Sequence, residues 1–183
     1  MTTTRRDFIK RVTIGSAGIA LAGGMLNPKA YGGILGANDR VNVGIVGFSD
    51  RAKDSLIPLL LTYSQELNFR ITAVSDIWNR RRNEAKEYFG KRGIDVALCR
   101  NNEELYERND VDAVIISTAD FQHALHTVEA VEAGKDVYVE KPLSETMEDN
   151  RKVLDAVEKS GKIVQVGSQR RSGANYHTAA EYI

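Results

Sequence analysis

Short apolar runs rich in β-branched residues alternate with amphipathic stretches from Arg40 onward, and this rhythm limits the fold more than any other feature of the chain. Val41–Val46 is one such run, closed by Gly47, and suits a strand buried on both faces. A helix is expected from Asp50 to about Gln65, with Leu56, Leu59, Leu60 and Tyr63 turned inward and Pro58 marking a kink or a late start. Arg70–Ser75 reads as a second strand. Asn79 to about Lys91 reads as a charged helix with Ala85, Tyr88 and Phe89 inside, stopping near Gly90 or Gly93. Ile94–Cys99 is a short third strand, and Asn102 opens a brief helix through Tyr106. Ala113–Ser117 is the most strongly buried strand in pattern; Asp120 is expected to cap the next helix, which Gly134 ends. Val137–Val139 is a fifth strand. Thr146–Ser160 is a helix with Met147, Val153, Leu154 and Val157 inward, and Ile163–Val166 is a sixth strand.

Strands separated by helices of this length imply right-handed crossovers and a parallel sheet covered on both faces. The expected fold is therefore α/β: a Rossmann-like, doubly wound parallel sheet with strand order 3-2-1-4-5-6. Ligands of such sheets bind at the carboxyl ends of the strands, near the switch between strands one and four. Here those ends hold Gly47–Ala52, Asp76–Trp78, Thr118–His123, Glu140–Pro142 and Gly167–Arg171.

Charge and cysteine content narrow the function. Lys plus Arg and Asp plus Glu each number 25, so the balance favours neither nucleic acid nor an anionic membrane surface. The balance is uneven along the chain: Arg5, Arg6, Lys10, Arg11 and Lys29 face only Asp7 among the first residues. Taking those five from 25 and that one from 25 leaves a mildly acidic remainder of 20 against 24. The single cysteine, Cys99, excludes an internal disulfide framework and a thiolate metal cluster, and reads as a small hydrophobe at a strand end. No His, Cys and carboxylate spacing makes a metal site, and Ser168 lacks the context of a nucleophile elbow.

The amino terminus reads as an address. Thr4-Arg5-Arg6-Asp7-Phe8-Ile9-Lys10 precedes a small, apolar run from Val12 to Leu26, too short and too rich in glycine to span a bilayer comfortably. The paired arginines with Phe8 and Lys10 look like a twin-arginine signal, read by machinery that exports folded proteins. Export places the protein in the periplasm, or on a membrane if the signal is retained. Ala30 and Ala37 are both open as cleavage positions, and Tyr31–Asp39 is a glycine-rich linker.

The first turn, Gly44-Ile-Val-Gly47-Phe-Ser49-Asp-Arg51-Ala52, aligns Gly47, Ser49 and Ala52 with the G-x-G-x-x-G dinucleotide fingerprint. Gly47 makes the tight turn and Ala52 is tolerated at the third position. Ser49 departs at the second, where a missing side chain lets backbone amides approach a pyrophosphate. Arg51 offers a charge-assisted contact to phosphate or a solvated charge. Asp76, ending the second strand, can accept hydrogen bonds from ribose hydroxyls and would repel a 2′-phosphate, which favours NAD over NADP. Arg80, Arg81 and Arg82 soften that preference unless they form a solvated helix face.

The later stretch is more specific. Asp112-Ala-Val-Ile-Ile-Ser-Thr118, His123-Ala124, Ala133-Gly-Lys-Asp-Val-Tyr-Val-Glu140-Lys141-Pro142 and Gly167-Ser-Gln169-Arg-Arg171 together resemble the glucose-fructose oxidoreductase/inositol dehydrogenase (Gfo/Idh/MocA) family, from about Val41 to the end of the chain. The resemblance implies NAD or NADP bound across Gly47, Ser49, Arg51, Ala52, Asp76, Thr118, Glu140 and Lys141, with Gln169 close to the nicotinamide. It implies that Lys141 lies beside the reacting hydroxyl, where an ammonium stabilises a developing alkoxide. His123 buttresses the cofactor loop under this reading, Arg170 and Arg171 reach substrate or solvent, and His126 and His177 are structural or solvated.

The resemblance also implies a second α/β domain carrying substrate contacts and a histidine acid/base. The expected organisation is signal and linker over 1–39, the dinucleotide domain over 40–172, and the start of a truncated substrate domain over 173–183. The isolated piece would then lack activity and the oligomer contacts that such a domain supplies. Three functions stay open: hydride transfer between nicotinamide and a sugar or cyclitol hydroxyl, NAD-dependent glycoside hydrolysis on the same fold, and non-enzymatic sugar or nucleotide binding.

Overall fold

The computed structural model describes residues 40–182, so the signal and linker expected over 1–39 lie outside the described residues. Six strands form one sheet: β1 (Val41–Val46), β2 (Phe69–Ser75), β3 (Ala97–Cys99), β4 (Ala113–Ile116), β5 (Asp136–Glu140) and β6 (Val164–Gly167). Their order is β3-β2-β1-β4-β5-β6 with every pairing parallel, as the alternating pattern requires.

Side chains of the central strands alternate between two apolar cores. Val46, Val114, Ile116, Val137 and Val139 enter one with Leu105 and Val131, while Val43, Ile45, Ile71, Val74 and Ile115 enter the other with Phe48 and Phe89. Each fully buried side chain of this size contributes about 1.5–3 kcal/mol by leaving water. The cores flank the sheet and leave its carboxyl edge to carry polar groups.

The helices follow from local sequence, with instructive departures. After β1 the chain turns and becomes helical from Asp50, passing through a π-helical stretch, Ala52–Leu56, into α1 (Ile57–Tyr63). Pro58 lacks the amide that would continue an α-helical ladder, and the Ile57 amide instead reaches back five residues to the Ala52 carbonyl. The expected inward face is wrong here: Leu56 is buried, but Leu59 and Tyr63 are exposed, and Ile57 enters the core in their place. Apart from Pro58, residues 56–61 are continuously apolar, so the segment has no phase of its own.

Next come α2 (Asn79–Gly90), α3 (Asn102–Tyr106), a 3-10 turn (Asp120–Gln122), α4 (His123–Glu132), α5 (Met147–Ser160), a second 3-10 turn (Gln169–Ser172) and α6 (Ala174–Ala180). Asn101, not Asn102, caps α3 by accepting from the Glu104 amide. Asp120 does not cap α4, because the 3-10 turn interposes and puts Asp120 inside it. Thr146 does cap α5, its hydroxyl accepting from the Asp149 amide at 3.1 Å. On α5, Val153 and Ala156 are buried, whereas Met147 and Leu154, expected inside, face solvent. Ile163 is likewise exposed and precedes β6 instead of opening it.

Candidate dinucleotide site at the carboxyl edge of the sheet

The switch point between β1 and β4 is built from the Gly47 turn and the Ser117–Thr118 end of β4. Gly47 has φ +86°, and a Cβ added there would lie 2.8 Å from the Thr118 methyl and 3.2 Å from the Ser117 carbonyl oxygen. Only glycine serves, because both the left-handed backbone and the close approach exclude a side chain. Ser49 folds back: its Oγ lies 2.8 Å from Ser117 Oγ and accepts from the Ala52 amide at 3.2 Å. The departure from glycine therefore ties the turn to β4. Ala52 is fully buried beneath the turn.

Asp76 ends β2 beside this turn. Its Oδ2 accepts from the Phe48 amide at 3.0 Å and its Oδ1 from the Trp78 amide at 2.8 Å. The carboxylate thus shapes the turn, a role the sequence did not disclose, while each oxygen keeps a further lone pair. Of the three arginines that follow, Arg80 stays exposed while Arg81 and Arg82 are half-buried. Arg81 is 17% exposed and pairs with Asp50 at 2.9 Å and Glu84 at 2.8 Å. Arg82 donates to the Asp76 carbonyl, and Arg80 stacks 3.7 Å over the Trp78 ring while pairing with Glu84. The Arg81 and Lys53 hydrogen bonds hold the Asp50 carboxyl down at about 2.

Two cavities flank the switch point and share Ser117 and Thr118 as walls. The one of about 930 Å³ lies beside Gly47, Ser49, Asp76 and Arg81, and reaches Asn102 and His126. Ser75 Oγ donates to Asn102 Oδ1 at 2.8 Å, and the Asn102 amide lies 3.0 Å from His126 Nδ1. The other, of about 630 Å³, is walled by Arg51, Glu140, Lys141 and Gln169. Thr118 Oγ1, between the two, is buried with no hydrogen-bond partner among the described residues. Thr72 Oγ1, Tyr88 Oη and Arg108 Nε are buried in the same way, so this alone does not mark a ligand.

Around the second cavity the chain assembles a network from three segments. Glu140, 4% exposed at the end of β5, accepts from Arg51 Nη2 at 3.1 Å and from Gln169 Nε2 at 2.7 Å. Gln169 Nε2 also lies 2.6 Å from the Tyr138 hydroxyl. Burial pushes that phenol above its ordinary range, and the Gln169 hydrogen bond opposes the rise. Gly167 leaves room for this contact: a Cβ there would lie 2.6 Å from Tyr138 Oη and 2.8 Å from Gln169 Nε2. Arg51 is thereby turned to Glu140, and its pairing with a carboxylate 89 residues away was invisible in the sequence.

Lys141 is exposed at the rim of this cavity, and its peptide bond to Pro142 is cis. His123 is buried behind it, with Nδ1 2.7 Å from the Pro142 carbonyl and Nε2 3.2 Å from the Thr118 carbonyl. Its ring spans the turn after β5 and the end of β4, which suits a buttress. His126 pairs with Glu129 at 3.1 Å, and His177 sits in the last turn of α6, outside both cavities.

A doubly wound sheet with a glycine turn and an acid after β2, beside two cavities that meet at the switch point, defines a dinucleotide-binding domain of the Rossmann class. Residues 41–168 match the family model described as an oxidoreductase family with an NAD-binding Rossmann fold, and the chain belongs to this Gfo/Idh/MocA family. It is 33% identical over 144 residues to inositol 2-dehydrogenase 3 of Saccharopolyspora erythraea, the match covering 78% of this chain and 40% of that protein. An inositol 2-dehydrogenase of Agrobacterium fabrum is 33% identical, with 74% and 39% covered. The chain thus spans about two fifths of the length of these relatives. Among solved structures, a 3-ketoreductase from Actinomadura kijaniata in complex with NADP and TDP-benzene superposes with a TM-score of 0.67 at 25% identity, covering 78% of this chain and 41% of that one. The WlbA dehydrogenase in complex with NADH and UDP-GlcNAcA shares the fold at a TM-score of 0.68 and 24% identity, covering 76% and 38%.

Proposed function

We propose that the protein containing this chain transfers hydride between nicotinamide and a sugar or cyclitol hydroxyl, with NAD lying across Ser117 and Thr118. The observation that carries the reading is the pair of cavities that meet at Ser117 and Thr118, opposite a glycine that no side chain can replace. In this reading adenosine enters the larger cavity, its ribose hydroxyls on the spare lone pairs of Asp76, and pyrophosphate faces the Gly47–Ala52 turn. Nicotinamide then reaches the smaller cavity, where Glu140 and Gln169 line its approach. The cofactor, when bound, supplies the hydride acceptor.

Lys141 is the group we assign to the chemistry. Its ammonium, at the rim of the nicotinamide-side cavity, stabilises negative charge on the substrate oxygen as the hydroxyl proton passes to the acid/base histidine expected in the substrate domain. NAD suits the site better than NADP, since Asp76 disfavours a 2′-phosphate and Arg81 and Arg82 already have protein partners. The inositol 2-dehydrogenase relatives support a polyol substrate. Export rests on the Arg5-Arg6 pair and the apolar run behind it, and takes the protein through the twin-arginine machinery to the periplasm. Residues 173–183 then open a substrate domain that completes the site.

The test is reduction of NAD by the complete gene product, followed by nicotinamide absorbance across a panel of cyclitols, hexoses, sugar acids and sugar phosphates. Turnover of at least one polyol supports the reading. NAD binding with no net reduction by any of them contradicts it.

A further inference from the structure

The nicotinamide-side cavity carries more positive charge than a neutral polyol would answer. Six charged side chains line it: Arg51, Lys141, Arg170 and Arg171 against Asp120 and Glu140. Arg51 and Glu140 cancel each other in their 3.1 Å pair. Lys141, Arg170 and Arg171 remain, faced by Asp120 alone, and neither Arg170 nor Arg171 has an ion-pair partner among the described residues.

The cofactor's own phosphates do not answer that charge. They face the turn after β1, of which only Arg51 enters this cavity, and its guanidinium is already taken by Glu140, whereas Arg170 and Arg171 follow β6. Oxidised nicotinamide brings a further positive charge into the same cavity. A guanidinium with its planar fork of donors is the side chain best matched to a carboxylate or phosphate.

Resting on the proposed dehydrogenase reading, we propose that the substrate carries an anionic group, carboxylate or phosphate, received by Arg170 and Arg171 while its hydroxyl faces Lys141. The substrate class is a sugar acid or a sugar phosphate.

The test is calorimetric titration of the NAD-loaded complete gene product with D-glucose, D-glucuronate and D-glucose 6-phosphate. The anionic member that fits binds roughly tenfold or more tightly than glucose, the size of one charge-assisted hydrogen bond. Which of the two wins separates carboxylate from phosphate. The preference shrinks as salt is raised, collapses in Arg170→Gln/Arg171→Gln and largely survives in Arg170→Lys/Arg171→Lys. Should the double Gln variant fail to fold, the single Arg171→Gln variant and the salt series on the unmodified protein still decide the matter. Glucose binding as tightly as both anions, or a preference insensitive to salt and to loss of both guanidiniums, overturns the inference while leaving the dehydrogenase reading standing. Failure to retain NAD overturns both.

Discussion

Replacing Gly47 by alanine probes the switch point with one methyl group. The backbone there is left-handed at φ +86°, which costs an L-residue about 1–2 kcal/mol. The new Cβ also meets the Thr118 methyl at 2.8 Å and the Ser117 oxygen and Thr118 Cα at 3.2 Å. The methyl can rotate only by moving Thr118 Oγ1, and the backbone atoms yield only if the end of β4 shifts, so overpacking adds about 1–3 kcal/mol. The expected destabilisation is about 2–5 kcal/mol, or roughly 5–15 °C in melting temperature for a domain of this size. Gly90 is the control: a Cβ there meets nothing within 4 Å, so Gly90→Ala should be neutral or stabilising by up to about 1 kcal/mol. Thermal denaturation by circular dichroism measures both variants, and titration with NAD shows whether the displaced Ser117–Thr118 wall also weakens binding. If Gly47→Ala melts within a degree or two of Gly90→Ala and binds NAD unchanged, the account of the turn is wrong.

Three further outcomes are expected. Lys141→Ala in the complete gene product lowers turnover by about 10²–10⁴-fold with little change in NAD affinity, as a group acting on developing charge should; steady-state kinetics beside a binding titration checks the split. Arg5→Lys/Arg6→Lys leaves the protein in the cytoplasmic fraction, and an unchanged exported yield would contradict twin-arginine export. Asp50 titrates at about 2 against an ordinary 3.8, so the Arg81 pair is intact above about pH 4 and lost as pH falls through 2. In Arg81→Ala the carboxyl should titrate closer to 3.8 by NMR, and no upward movement would remove Arg81 as the cause.

What could be read in advance follows from the range of each interaction. β4 was legible because a strand buried on both faces leaves a contiguous apolar run, β1 and β2 because β-branched residues recur along them, and the strand order followed from their spacing by helices. The phases of α1 and α5 were less legible. Leu59, Tyr63, Met147 and Leu154 are apolar yet exposed, and apolar character alone does not force burial. Glycines and acids at strand ends marked the site, since a backbone position that admits no Cβ leaves its signature in the residue itself. The Arg51–Glu140–Gln169 network left none. Its members are 89 and 29 residues apart, and only the assembled sheet brings them together. The same holds for Asp76: a ligand role was inferred from its place after β2, but its hold on the Phe48 amide needed coordinates.

The central claim, that this edge of the sheet is an NAD site organised by Asp76, is tested most directly by calorimetric titration of the complete gene product with NAD and NADP, before and after Asp76→Ala. The account predicts one site that takes NAD more tightly than NADP and loses roughly 1–3 kcal/mol of NAD affinity in the variant, the worth of hydrogen bonds to a charged group. Tighter binding of NADP by the unmodified protein, or an NAD affinity indifferent to Asp76, would contradict it.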